Sequence, residues 1–125
     1  MDERFKKQLL ENGADIETTV KRFMGNEELY LKFIFKFQND RNYESLEKHL
    51  EEQKYEDAFN DAHTLKGVSA NLGLDTISEA SSKITELLRG KKTADDIDLQ
   101  QVNSVKEHLG DLCMAFRKIL AENEP

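Results

Sequence analysis

The sequence lacks most of the features that mark a secreted, membrane-bound or disulfide-stapled protein. It has no tryptophan, one cysteine, and one proline, which is the last residue, Pro125. A lone cysteine, Cys113, forms no internal disulfide, and this favours a reducing compartment. No stretch approaches the ~20 apolar residues that cross a membrane, and the N-terminus has no apolar signal core. These absences predict a cytoplasmic protein with no membrane partner.

Basic residues are also scarce, with 18 Lys and Arg against 25 Asp and Glu, for a net charge of -7. A nucleic-acid backbone needs a basic stripe, and none is visible, so nucleic acid is excluded as a partner. His49, His63 and His108 share no ligand spacing, so we predict no metal site. The sequence has no GxxxxGKS/T phosphate loop, and 125 residues of helical pattern leave no room for the ATP-binding domain of a kinase.

Helical periodicity runs through nearly the whole chain, and no segment alternates as a strand does. Apolar spacing and breakers predict helices over residues 2–10, 16–23, 27–39, 43–53, 55–72, 75–88 and 94–121. Four substantial amphipathic helices with short connections predict an all-α fold, an antiparallel four-helix bundle with short additional N-terminal helices. Residues 1–125 then form one domain, with an N-terminal extension over 1–12 and a disordered tail over 122–125. We expect a monomer.

The predicted helix over 27–39 is apolar on two sides. One stripe, at i, i+4 and i+8, is expected to face the core: Leu29, Phe33 and Phe37. Leu31 and Phe35 point roughly 200° away around the helix. An apolar side beyond the core stripe predicts a docking surface for a partner. The alternative is that the N-terminal segment folds back through Phe5 and Leu9 and covers this side.

The most informative stretch is the run from His63 to Gly73. On a helix, His63, Lys66, Gly67 and Ala70 fall at i, i+3, i+4 and i+7, so they share one face. This face turns outward and presents an imidazole, a cation one turn away and two residues with almost no side chain. An exposed imidazole is largely neutral near pH 7, so it acts as a nucleophile without a dedicated base.

Gly67 stands in the middle of the predicted helix, where glycine costs ~1 kcal/mol relative to alanine. The helix does not end there, because its apolar stripe continues through Ser69 and Leu72, and Gly73 is a better terminator. Clearance for an incoming molecule is therefore the reason we infer for Gly67. Lys66 has no acidic residue at i±4, so its charge is free to offset that of a phosphoryl group.

This stretch resembles the signature of histidine phosphotransfer (HPt) domains. The matching residues are His63-Thr64-Leu65-Lys66-Gly67, with Ser69, Leu72 and Gly73. Upstream, residues 22–37 resemble the second helix of the family, and residues 55–58 resemble its usual approach to the histidine. The resemblance extends over residues 15–90.

The resemblance implies a four-helix bundle in which His63 accepts a phosphoryl group from a receiver-domain aspartate and passes it to another. Lys66 would stabilise the phosphate, and Gly67 would let the receiver approach. The chain would be a carrier in a two-component phosphorelay and not an enzyme, with no cofactor of its own. Its partners would be receiver domains of response regulators or hybrid histidine kinases, and the receiver would carry the divalent metal.

Three further residues are predicted to support His63. Gln38 would hydrogen-bond the imidazole and fix its tautomer, and Arg89 would add positive charge near the site. Ala70 is the second small residue on the His63 face. His49 and His108 have charged neighbours in the sequence and are predicted to be solvated.

Two other functions fit parts of this pattern. A helical interaction module would dock partners through Leu31 and Phe35, with His63 incidental. A small hydrolase would use His63 as a base and would need a converging nucleophile or carboxylate, whereas Thr64 and Asp61 point to other faces. Uptake of acid-labile phosphate would distinguish a phosphoryl carrier from the interaction module and from the hydrolase.

Overall fold

The computed structural model describes all residues from Met1 to Pro125 and contains helices but no strand. The all-helical prediction is confirmed. There are seven α-helices: α1 (Glu3–Glu11), α2 (Ile16–Arg22), α3 (Glu27–Phe35), α4 (Asn42–Glu51), α5 (Tyr55–Asn71), α6 (Asp75–Leu88) and α7 (Leu99–Asn123). Two short 3-10 helices, Lys36–Asn39 and Ala94–Asp96, precede α4 and α7.

The helix α5 packs against both α4 and α6, and α7 packs against α6, α4 and α1. One cluster of 24 buried hydrophobic residues runs through all seven helices. The N-terminal helices are part of it, because Phe5 and Leu9 of α1 and Ile16 of α2 are buried in the same cluster as Leu65 of α5. Burial of this apolar surface is the main force that holds the helices together.

The segment predicted as one helix over 27–39 has a different ending. The α-helix stops at Phe35, and the chain continues as the 3-10 helix Lys36–Asn39. Asp40 is extended, and its carboxylate accepts a hydrogen bond from the backbone N–H of Asn42 at 2.9 Å. The extended backbone at Asp40 separates α4 from the preceding 3-10 helix.

The last helix begins later and ends later than predicted. Residues 94–96 form a 3-10 turn that Thr93 and Asp96 cap reciprocally, and α7 starts at Leu99 behind Asp98, which accepts from the N–H of Gln101. At the other end, α7 continues to Asn123, whose amide donates to the Gln8 side chain of α1 at 2.9 Å. The prediction of a disordered tail is therefore wrong for residues 122 and 123.

The inward side of α3 also differs from the prediction. The residues buried on this segment are Tyr30, Ile34 and Phe37, whereas Leu29 and Phe33 are 38% and 40% exposed. The predicted outward residues, Leu31 and Phe35, are half-buried and pack against the core. The ring of Phe35 stacks on that of Phe5, with centroids 5.4 Å apart. The helix α1 thus covers the side of α3 that carries Phe35.

Candidate functional site

His63 lies on α5 with its side chain exposed to solvent. Neither of its ring nitrogens hydrogen-bonds another residue of the protein. The ring stacks on Phe59, one turn earlier, with centroids 5.9 Å apart and planes 7° from parallel. Phe59 is itself half-buried against the core. Phe59 therefore orients the imidazole, while both ring nitrogens remain available for chemistry.

Gly67 lies one turn after His63, and the helix continues through it to Asn71. A Cβ atom added at Gly67 would meet no other atom within 4 Å. Close packing within the chain therefore does not require this glycine. Gly73 is different, because it follows the end of α5 with φ +72°, and a Cβ there would lie 2.6 Å from the backbone oxygen of Asp15. Gly73 ends the helix, as predicted, and Gly67 leaves open space beside His63.

Lys66 and Arg89 are the two cations predicted to act with His63. Lys66 is on the same helix, half-buried and without a carboxylate within ion-pairing distance. Arg89, at the end of α6, places its guanidinium carbon 5.1 Å from the centre of the Phe59 ring. Arg89 and His63 therefore contact the same phenylalanine ring.

Glu86 of α6 is an acidic residue of the site that the sequence analysis missed. Its carboxylate accepts two hydrogen bonds from Arg89, at 2.8 and 3.1 Å. The Arg89 hydrogen bonds, together with the nearby charges of Arg89 and Lys66, lower the pKa of Glu86. Glu86 lies on the helix after that of Lys66, so the i±4 spacing around Lys66 does not reveal it.

Gln38 is not hydrogen-bonded to His63, contrary to the prediction. Its amide donates to the carbonyl oxygen of Phe35 at 3.3 Å, within its own segment. Ala70 is half-buried on the His63 side of α5, and its carbonyl oxygen accepts a hydrogen bond from Arg22 of α2 at 3.0 Å. That contact ties α2 to the C-terminal part of the His63 face.

The predicted docking residues Leu31 and Phe35 do not form an open apolar face, since α1 covers Phe35. The apolar residues that α3 exposes are Leu29 and Phe33. A groove of about 370 Å³ lies beside Phe33, and its other wall includes Val68 and Asn71 of α5. Asn71 is eight residues after His63, which is about 12 Å along the helix axis and about 80° around it.

His49 is half-buried and not solvated as predicted. Its Nδ1 atom lies 2.6 Å from the carboxylate of Asp61, which also accepts a hydrogen bond from the Ser45 hydroxyl at 3.0 Å. Asp61 is thus held by two residues of α4 and does not converge on His63, as a hydrolase would require. His108 is exposed on α7. No three His, Cys, Asp or Glu side chains are grouped so as to hold a metal ion.

Comparison with protein-family models matches residues 32–123 to the Hpt domain. The chain belongs to the Hpt family. The resemblance of its sequence to HPt domains is therefore confirmed. Comparisons with curated proteins and with solved structures give no match. Hpt domains are phosphocarrier modules, not kinases, and they interact with receiver domains in two-component phosphorelays.

The Hpt match contains α4 to α7 and the whole His63 site, whereas α1, α2 and the first residues of α3 precede it. In this Hpt protein the preceding helices share the core of the matched region, and Arg22 of α2 donates a hydrogen bond to the backbone of α5. None of the helices is long and apolar enough to cross a membrane.

Proposed function

We propose that this Hpt protein is a phosphorelay intermediate in which His63 accepts a phosphoryl group from one receiver aspartate and transfers it to the aspartate of another receiver. The observation that carries the proposal is the environment of His63. It is an exposed imidazole with both nitrogens free and an unobstructed turn at Gly67 beside it; Lys66 lies on the next turn of the helix, and Arg89 contacts the Phe59 ring on which the imidazole stacks. His49, in contrast, is engaged by Asp61. We also infer that α4 to α7 form the antiparallel four-helix bundle of the family.

The reaction that we propose for His63 is a single displacement at phosphorus. The unprotonated ring nitrogen of His63 attacks the phosphorus of the aspartyl phosphate, the N–P bond forms, and the P–O bond breaks. The carboxylate leaves with the electron pair, so no base is needed on the Hpt side. Lys66 and Arg89 offset the negative charge of the phosphoryl group. The divalent metal of the reaction belongs to the receiver, and this chain needs no cofactor.

We infer that the receiver docks over His63, Gly67 and the groove beside Phe33. The groove lies toward the C-terminal end of α5 from His63, and the exposed part of Phe33 offers apolar contact there. A transient relay contact needs only a small surface, at or below ~1,200 Å² in total. The apolar residue to test is therefore Phe33 and not Phe35.

Phe33→Asp and Phe35→Asp form a matched pair on one helix. Phe33→Asp is expected to weaken receiver binding about tenfold with little change in melting temperature, because the ring is 40% exposed. Phe35→Asp is expected to lower the free energy of unfolding by about 2–3 kcal/mol, because it removes the stacking on Phe5 and places a charge against the core. Binding isotherms and thermal melts distinguish the two effects. Equal melting temperatures for the two variants would mean that α1 does not cover α3.

Lys66→Ala is expected to slow phosphotransfer roughly tenfold, as loss of one charge-assisted contact predicts. Lys66→Arg should retain more activity than the alanine variant, since it keeps the charge. Rapid-quench measurement of transfer from a phosphorylated receiver gives the rates. Equal rates for the wild type and both variants would leave Lys66 without a role in the transfer.

The proposal as a whole is tested by incubating the chain with phosphorylated receiver domains from the same organism. Transfer should give a phosphorylated chain whose label is lost in acid and retained in alkali, as expected for a phosphorus–nitrogen bond. Binding of receivers without any transfer would instead indicate the interaction module, with His63 incidental.

A further inference from the structure

The proposed function uses Arg89 but gives no role to Glu86, the carboxylate that holds it in an ion pair. The two side chains are three residues apart on α6, and the carboxylate meets the guanidinium through two nitrogens, at 2.8 and 3.1 Å. Both side chains are more than half exposed. An exposed pair of this kind is weak and exchanges readily for a better partner.

The position of the pair connects it to the imidazole. The Arg89 guanidinium lies over the ring of Phe59, and the ring of His63 stacks on the same phenylalanine. Lys66 is near enough to contribute to the lowered pKa of Glu86. Glu86 therefore acts on both of the cations that we propose for the phosphoryl group on His63.

A phosphoryl group competes well for a guanidinium. It presents several anionic oxygens, which match the fork of nitrogens that Arg89 now directs at Glu86. Before phosphorylation, one carboxylate, Glu86, faces two cations, Lys66 and Arg89. After phosphorylation of His63, a carboxylate and a phosphoryl group share these two cations. Glu86 occupies the Nε and Nη2 edge of Arg89, so the phosphoryl group gains that edge of the guanidinium only when Glu86 releases it.

We propose that Glu86 competes with the phosphoryl group for Arg89: it holds the guanidinium while His63 is free and yields it when His63 is phosphorylated. This proposal rests on the proposed function of His63. The competition opposes phosphorylation of His63 and so keeps the phosphoryl group easy to pass on. No bond is made or broken by Glu86, which acts through Arg89 as a positioning residue.

The test is phosphorylation of the full chain by phosphoramidate, a small donor that needs no receiver, followed by phosphorus NMR. Glu86→Gln is expected to raise the rate of His63 phosphorylation about fivefold, as release of one exposed ion pair predicts. The same substitution in an Arg89→Gln background is expected to change nothing, because the guanidinium is no longer there to be released. Melting temperatures should stay constant, because Glu86 and Arg89 are exposed.

Glu11→Gln is the matched control, since it removes the same charge from an exposed pair with Lys7 on α1. It should phosphorylate at the wild-type rate. A Glu86→Gln rate equal to the wild type would overturn the proposal, as would an acceleration that persists without Arg89 or that Glu11→Gln reproduces. Wild-type chain that takes up no phosphate at His63 would instead refute the proposed function, and this inference with it.

Discussion

His63→Gln is expected to abolish phosphate uptake and to leave the melting temperature unchanged. Uptake is lost because glutamine has no nucleophilic ring nitrogen, and the structure offers no second exposed imidazole beside Lys66 and Gly67. Stability is kept because the His63 side chain is exposed and makes no hydrogen bond, so only its stacking on Phe59 is lost. Radiolabel transfer from a phosphorylated receiver and a thermal melt measure the two effects.

The other histidines supply the controls for this experiment. His49→Gln should retain phosphate uptake and lower the melting temperature, because it removes the contact between His49 and Asp61 that joins α4 to α5. His108→Gln should retain both, since His108 is exposed. Full labelling of the His63→Gln variant would contradict the assignment of His63 as the residue that accepts the phosphoryl group.

Gly67→Leu is expected to slow transfer from a receiver by something on the order of 100-fold, the penalty of a reacting pair held about 1 Å out of place. The leucine side chain would project into the space beside His63 through which the receiver approaches. The fold should persist, because a Cβ at Gly67 meets nothing within 4 Å. Rapid-quench kinetics with a phosphorylated receiver measure the loss.

Two comparisons show whether the effect of Gly67→Leu is steric. Phosphorylation of the same variant by phosphoramidate should be nearly normal, because so small a donor does not need the cleared surface. Gly67→Ala should stabilise the protein by up to ~1 kcal/mol through helix propensity. Gly73→Ala should destabilise it, because φ is +72° there and the Asp15 backbone is close. Receiver transfer at the wild-type rate in Gly67→Leu would show that the clearance has no role.

The local arrangement around His63 could be read from the sequence because it depends on one helix. Residues at i, i+3, i+4 and i+7 share a face whatever the rest of the chain does. The positions of Lys66 and Gly67 relative to His63, and the end of the helix before Gly73, follow from that periodicity alone. Phe59, at i−4 from His63, follows from the same periodicity.

The features that the sequence analysis missed depend on contacts between helices. Both sides of α3 are apolar, so its own pattern does not decide which side is buried. Contact with α1 determines which side is covered, because Phe5 of α1 stacks on Phe35. The pairing of His49 with Asp61 and the position of Glu86 near Lys66 likewise join residues of different helices. A helical wheel of one segment contains no information about such pairs.

The central claim is that His63 carries the phosphoryl group, and mapping the phosphate on the wild-type chain tests it most directly. The chain is phosphorylated by a receiver, kept at alkaline pH and analysed by tandem mass spectrometry under conditions that preserve phosphorus–nitrogen bonds. The account predicts one phosphoryl group, on the His63 ring. Phosphate on His49 or His108, or an acid-stable phosphate on a hydroxyl side chain, would contradict it.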